Sequence, residues 1–143
     1  MLRLVARVLL GLFLLFAGAA HLTGARQEFR AQVPSWFPAD PDLVVLVSGV
    51  VEIVLGLALV LLVRHRVAVG LVVAASFVAV FPGNVAQFVE QRPAFGLDTD
   101  LARGLRLLGQ PVLVAWALWS TDAATWLRDR LRRLGRRGAS RVP

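Results

Sequence analysis

Four long apolar runs, separated by short polar segments, dominate the pattern of the chain. A helix of about 20 apolar residues spans the hydrocarbon core of a bilayer. The first three runs reach that length with few charges, whereas the fourth reaches it only if Arg103 and Arg106 lie in its first turns. The pattern therefore predicts an all-α protein, a transmembrane four-helix bundle whose spans cover residues 4–22, 43–63, 67–89 and 103–121.

The first run has a second interpretation. Arg3 and Arg7 precede the apolar stretch 8–16, and small residues follow at 17–19. This order of charged, apolar and small regions is also that of a cleavable signal peptide. We interpret the run as a membrane span and leave its cleavage as the alternative.

The segment between the first two spans is rich in proline and aromatic residues. It carries Pro34, Pro38 and Pro41, with Trp36 and Phe37 among them. Tryptophan is enriched where a membrane meets water. We expect a short folded cap on the outer side, with Trp36 at the interface, and one four-span domain over residues 1–122.

Composition and charge support a membrane protein and orient it. The chain has 143 residues, of which 57% are hydrophobic, above the roughly 45–50% of soluble domains. All 16 basic residues are arginines, and an even number of spans places 11 of them on the side of the termini and 5 on the other. The positive-inside rule then predicts a multi-pass protein of the cytoplasmic membrane with both termini in the cytoplasm.

The tail, residues 123–143, is a separate feature. Leu127, Leu131 and Leu134 recur at helical spacing among arginines. This is typical of a basic amphipathic helix that lies on an anionic leaflet. Nucleic acid is the less favoured partner because no base-reading or aromatic residues are interleaved with the arginines. The residues expected at the membrane surface are Trp126, Arg128, Arg132, Arg133 and Arg136.

Glu52 is the one charge inside the first three spans that topology does not explain. A carboxylate near the centre of a membrane helix costs roughly 2.5–3.5 kcal/mol, so it is expected to face protein and to have partners. Ser48, Gly49 and Gly56 share its helical face. Small residues on that face let a neighbouring helix approach closely.

Each of the other spans also carries a polar or small-residue stripe, and every stripe is polar in its outer half. The sequence therefore predicts an intramembrane pocket that opens outward. Pro82 and Pro111 free the carbonyls of Val78 and Leu107, for which Asn84 and Gln110 are the expected donors. An alternative is that the polar groups only satisfy one another and lock the bundle. The candidate residues are His21, Ser48, Glu52, Asn84, Gln87, Arg106 and Gln110.

Five short motifs occur in order along the chain: Gly18-Ala19-Ala20-His21, Pro34-Ser35-Trp36-Phe37-Pro38, Ser48-Gly49 through Glu52 to Gly56, Phe81-Pro82-Gly83-Asn84, and Arg106 with Gln110-Pro111. Together they resemble the DoxX-like family of small four-helix membrane proteins, over nearly the whole chain up to Thr121. The departures are Leu22, where Phe is frequent, and Gly83, where Ala is common. The resemblance implies a four-helix bundle in the cytoplasmic membrane. The family is named after a subunit of a quinone-linked sulfur-oxidising complex, and related groups include accessory and assembly proteins.

We therefore expect an accessory subunit or a binder of a quinone-like lipophilic molecule. The chain brings no redox centre of its own: it has no Cys, and its two histidines, His21 and His65, are expected at opposite membrane faces. Quinone is the one candidate cofactor, at most within a quinone-linked oxidoreductase. No metal site is expected, because His21 and Glu52 are too few ligands for a typical zinc site. No catalytic residue is expected either.

Two alternatives remain at this point. The protein could be a purely structural or assembly partner of a larger membrane complex. A small homo-oligomeric transporter ranks third, because a single four-helix unit has no inverted repeat to support alternating access. The lipid bilayer is the partner common to every hypothesis.

Overall fold

The computed structural model of the protein describes residues 1–96 and 99–139, and within these ranges it contains helices, turns and loops but no strand. The predicted all-α class is confirmed for this part of the chain. A short 3₁₀ turn, Val63–His65, connects the third and fourth helices. The helices are α1 (Leu2–Leu22), α2 (Arg26–Arg30), α3 (Pro41–Leu61), α4 (Arg66–Val89), α5 (Asp100–Ser120) and α6 (Ala123–Ala139).

Among the described residues, three helices are long and apolar enough to cross a membrane: α1, α3, and α4 with its preceding turn. They correspond to the predicted spans 4–22, 43–63 and 67–89 within a few residues. The segment predicted as the fourth span, residues 103–121, lies almost entirely in the 21-residue helix α5, which is not among these three. It is less apolar than the other three because Asp100, Arg103 and Arg106 lie in its first two turns.

The long helices form a ring in which α1 packs on α3, α4 packs on α5, and the two pairs meet through α1–α5 and α3–α4 contacts. The closest approach is between α1 and α3. A β-carbon added at Gly11 would lie 2.9 Å from the carbonyl oxygen of Gly56, and one added at Gly56 would lie 2.7 Å from that of Gly11. The expected close approach at the small-residue face of α3 is therefore confirmed.

One end of the ring is joined at Asp122, in the turn between α5 and α6. Its carboxylate accepts hydrogen bonds from Arg3 and from Nε of Arg66, the latter at 3.0 Å. Next to it, the fully buried Thr121 fits against Gly70 of α4, where a β-carbon would clash with it. The starts of α1 and α4 and the end of α5 therefore lie on the same side of the molecule.

The opposite end is formed by two connecting segments, residues 23–40 and 90–96, that contact each other. Arg92 donates to the carbonyl of Val33 at 2.9 Å, and Ser35 donates to Glu90 at 3.2 Å. Arg26 pairs with Asp42 at the start of α3, and this hydrogen bond raises the pKa of Arg26. Both segments therefore lie over the same end of the ring.

Helix α6 extends the chain beyond Asp122. The helix expected in the tail is confirmed over Ala123–Ala139, while residues 140–143 lie outside the described part. Trp126, Leu131 and Leu134 are exposed, as are all side chains from 128 to 136. The amphipathic helix thus leaves its apolar side uncovered by the rest of the described chain.

Candidate functional site

A cavity of about 900 Å³ lies between the four long helices, beneath the two connecting segments. Six of the seven polar residues predicted for a pocket line it. The seventh, Gln87, is buried on α4 but does not line the cavity. Pro82 lines the cavity and Pro111 does not, and both lie inside helices that continue through them. The six lining residues are His21, Ser48, Glu52, Asn84, Arg106 and Gln110.

The α1–α3 side of the cavity contains a histidine and a carboxylate. Nδ1 of His21 lies 2.8 Å from the carbonyl oxygen of Ala17 and 3.2 Å from Oε2 of Glu52. The hydroxyl of Ser48 donates to the carbonyl of Val45 at 2.9 Å, within its own helix. Gly49 of α3 packs against the Cβ of His21, and Glu52 follows Gly49 by about one helical turn. The two ionisable side chains therefore meet at the cavity wall.

The α4–α5 side is held by a pair of amides. Nδ2 of Asn84 donates to Oε1 of Gln110 at 3.0 Å, and Nε2 of Gln110 donates to the carbonyl of Phe77 at 2.6 Å. We expected the carbonyl of Val78, four residues before Pro82, to be the acceptor. The observed acceptor is one residue earlier, because the register between α4 and α5 brings Gln110 to Phe77.

The rim of the cavity is a chain of ring contacts that connects the two sides. Phe29 stacks on the imidazole of His21, with ring centroids 3.4 Å apart, and meets the edge of Phe95 at 4.7 Å. The guanidinium of Arg106 lies 4.6 Å from the centroid of Phe95. In the amide orientation that gives both groups a partner, Gln32 accepts from Arg106. The rim thus positions the side chains of His21 and Arg106.

Sequence reasoning did not identify Phe29, Phe95 or Gln32. Each lies in a connecting segment, where no helical period marks an inward-facing position. The one available signal was that both segments carry aromatic residues next to the ends of the polar stripes. Gly83 provides the corresponding space on α4, since a β-carbon there would lie 2.5 Å from the carbonyl oxygen of Gln32.

Most of the remaining cavity wall is apolar and aromatic. Trp116 and Trp36 both line it, and Trp36 is also exposed. An apolar pocket with a few convergent polar groups is the usual form of a small-molecule site. Further aromatic side chains in the lining are Phe13, Phe16, Phe37 and Phe77.

Two arginines lie deeper in the protein than the charge pattern indicated. Arg7, counted among the inner-side charges, is only 3% exposed, and its Nη1 finds no hydrogen-bond partner in the described chain. Arg103 is 7% exposed and pairs with Asp100 at 2.8 Å. Arg7 is buried because it lies on the same face of α1 as Leu10 and Leu14, and this face packs into the core.

Within residues 1–96 and 99–139, no group of three or more His, Cys, Asp or Glu side chains is close enough to hold a metal ion. His21 lies at the cavity, and His65 lies in the turn at the other end of the ring. The ionisable residues among the described residues that line the cavity are Glu52, His21 and Arg106.

Comparison with known proteins identifies a family but no function. The model of a family described as "Domain of unknown function (DUF8561)" matches residues 10–121, which span most of α1 and all of α2–α5. The chain belongs to this family. No curated protein and no solved structure matches it.

Proposed function

We propose that this member of the DUF8561 family is an integral membrane protein that binds a quinone-like lipophilic molecule in the cavity between its four long helices, as an accessory subunit. The observation that carries the proposal is the convergence of six polar residues, from all four helices, on one apolar cavity of about 900 Å³. That volume is within the range of about 300–1,000 Å³ typical of small-molecule sites. The resemblance to the DoxX-like family supports both the quinone-like ligand and the accessory role.

The distribution of polar groups on α5 supports a fourth membrane span. Leu101, Leu105, Leu108, Val112 and Trp119 form one exposed stripe along this helix. Arg103 and Gln110 are on the opposite side, and each is 7% exposed. Arg103 and Gln110 of α5 thus face the protein, and the exposed apolar stripe forms an outer face that is suited to lipid. Polar residues inside a membrane protein normally face the interior in this way.

Charge supports the orientation. The end of the ring joined at Asp122 carries Arg3, Arg64 and Arg66 and leads into the arginine-rich α6. Basic residues concentrate on the cytoplasmic side of membrane proteins. We place this end and α6 at the cytoplasmic surface of the inner membrane, with α6 on the anionic leaflet. The two connecting segments then form a cap on the outer side, and the cavity lies in the outer half.

An accessory role follows from the chemistry of the cavity. Glu52 and His21 on one wall, and Arg106 and the amides on the other, can hydrogen-bond the oxygens of a ring headgroup. The apolar side chains can hold its tail. The chain has no cysteine, and His21 and His65 lie at opposite ends of the ring, so we assign electron transfer to a partner protein.

Filling the cavity tests the proposal. A β-carbon at Gly109 meets no atom within 4 Å, so Gly109→Phe can place a ring in the cavity without displacing the helices. The neighbouring Leu108 is 67% exposed, which makes Leu108→Phe the matched control. Full-length protein in lipid nanodiscs is titrated with an alkyl benzoquinone, and binding is followed by quenching of Trp36 and Trp116.

We expect the wild type and Leu108→Phe to bind the quinone and Gly109→Phe to lose at least about tenfold in affinity, since its ring occupies the ligand volume. Equal binding by a folded Gly109→Phe, or no binding by the wild type, would contradict the proposal. The latter result would favour the purely structural role, which the internally satisfied Asn84–Gln110 pair also fits.

A further inference from the structure

The carboxyl group of Glu52 lines the cavity, and one of its oxygens lacks a hydrogen-bond donor. Oε2 of Glu52 is buried, and no donor in the described chain reaches it with hydrogen-bond geometry. Nδ1 of His21 is 3.2 Å away, but it also lies 2.8 Å from the carbonyl oxygen of Ala17. Because a carbonyl can only accept, Nδ1 carries a hydrogen that is directed to Ala17. The imidazole therefore orients the carboxyl group without satisfying it.

The other polar groups of the cavity direct donors into the protein itself. The hydroxyl of Ser48 is used by the carbonyl of Val45. The amide of Asn84 donates one N–H to Gln110, and that of Gln110 donates one N–H to the carbonyl of Phe77. None of these donors is directed at Glu52, and among the described residues that line the cavity its Oε2 is the buried polar atom without a hydrogen-bond partner.

A buried acceptor without a donor is costly, and a ligand that supplies the donor recovers that cost on binding. A hydroxyl group both donates and accepts, so it pairs with Glu52 whether the carboxyl group is ionised or protonated. A carbonyl or ether oxygen only accepts and pairs with the protonated form alone. The carboxyl group of Glu52 thus distinguishes lipophilic molecules that carry a hydrogen-bond donor from similar molecules that carry only acceptors.

Building on the proposed function, we infer that the cavity selects lipophilic molecules that bring a hydroxyl or N–H donor to the carboxyl group of Glu52. The ligand class is then a phenol, hydroquinone or similar donor-bearing ring with an apolar tail. Among molecules of one skeleton, the hydroxyl form binds more tightly than the ether or carbonyl form. The aromatic rim formed by Phe29 and Phe95 accommodates either form, because ring contacts do not depend on the donor.

The test compares a para-alkylphenol with its O-methyl ether, which differ by one donor. Full-length protein in nanodiscs is titrated with each, and binding is followed through Trp36 and Trp116. We expect the phenol to bind about tenfold more tightly, as for a hydrogen bond to a charged group. In Glu52→Leu this ratio falls to within about twofold while the affinity for the ether is kept, which shows that the cavity is intact. Glu52→Gln, with a weaker acceptor of the same shape, has an intermediate ratio.

The outcomes separate the two proposals. Equal affinity of the wild type for phenol and ether overturns donor selection but leaves the lipophilic site standing. An unchanged ratio in Glu52→Leu, or in Glu52→Gln if the first variant does not fold, overturns the role of Glu52. Failure of phenol, ether and quinone alike to bind the wild type overturns the proposed function itself.

Discussion

Gly18 of α1 and Gly49 of α3 pack backbone against backbone. A β-carbon at Gly18 would lie 2.6 Å from the carbonyl oxygen of Gly49, and one at Gly49 would lie 3.0 Å from that of Gly18. The Gly11–Gly56 pair lies seven residues earlier in α1 and seven residues later in α3. Together the two contacts fix the antiparallel register of α1 and α3. That register brings His21 and Glu52 together, so the glycine pairs position the site.

We therefore expect Gly18→Ala to lower the stability of the protein by roughly 1–3 kcal/mol, since a methyl group there overpacks the contact. Gly104→Ala on α5 is the matched control, because its β-carbon would be 3.8 Å from Phe88, an ordinary contact. This control should gain about 0.5–1 kcal/mol from lower backbone entropy. Thermal unfolding in detergent micelles measures both; a Gly18→Ala protein as stable as Gly104→Ala would contradict the packing.

The hydrogen bond between Asn84 and Gln110 predicts energetic coupling of the two amides. Asn84→Ala, Gln110→Ala and the double variant form a cycle whose coupling energy isolates this contact. Hydrogen bonds between membrane helices average about 0.6 kcal/mol, with a maximum near 1.7 kcal/mol, and we expect a value in this range. Reversible unfolding in mixed micelles supplies the free energies. Strictly additive losses would show that the amides act independently.

Two substitutions of Asp122 should separate the contribution of its backbone conformation to stability from that of its charge. Its φ of 65° lies in the left-handed region, which Asp and Asn tolerate better than Ala. Asp122→Asn should lose only the exposed pairs with Arg3 and Arg66, at most about 1 kcal/mol and less at high salt. Asp122→Ala should lose about 1 kcal/mol more, independently of salt. Melting temperatures at low and high salt distinguish the two contributions, and identical losses would contradict the backbone effect.

Because Arg7 is buried, we expect its replacement by methionine to leave the stability of the protein unchanged or to raise it. Its side chain is 3% exposed with Nη1 unpaired in the described chain, so Arg7→Met replaces a poorly satisfied charge by an apolar side chain of similar length. Replacing buried ionic groups in this way is often neutral or stabilising by about 1–4 kcal/mol. Arg3→Met is the control, because Arg3 pairs with Asp122 at the surface. Chemical denaturation should rank Arg7→Met at or above the wild type, and a large loss would indicate an unrecognised partner.

The proposed orientation predicts the labelling of single cysteines. The chain has no cysteine, so Ser35→Cys in the outer segment and Arg130→Cys in α6 are unique sites. In intact spheroplasts, a membrane-impermeant maleimide should label position 35 and should label position 130 only after permeabilisation. The reverse pattern would invert the topology, and labelling of both positions from outside would contradict an even number of spans.

The helices and most of the polar positions of the site followed from the sequence. Spans 4–22, 43–63 and 67–89 depend on the transfer of consecutive side chains into an apolar medium, which is a local property. Glu52, Asn84 and Gln110 stood out because a polar group in an apolar run is costly wherever it faces lipid. Gln87 met the same criterion and still lies outside the cavity, since burial by protein satisfies the criterion without a pocket.

What only the tertiary structure decided was which groups meet. Gln110 reaches the carbonyl of Phe77 rather than that of Val78, Phe29 stacks on His21, and Arg7 is buried instead of solvated. Each outcome depends on the register between elements distant in the chain, set by contacts such as the glycine pairs of α1 and α3. A helical period specifies the face on which a side chain lies. The partner across that face depends on how the neighbouring helix packs, and no local pattern contains that information.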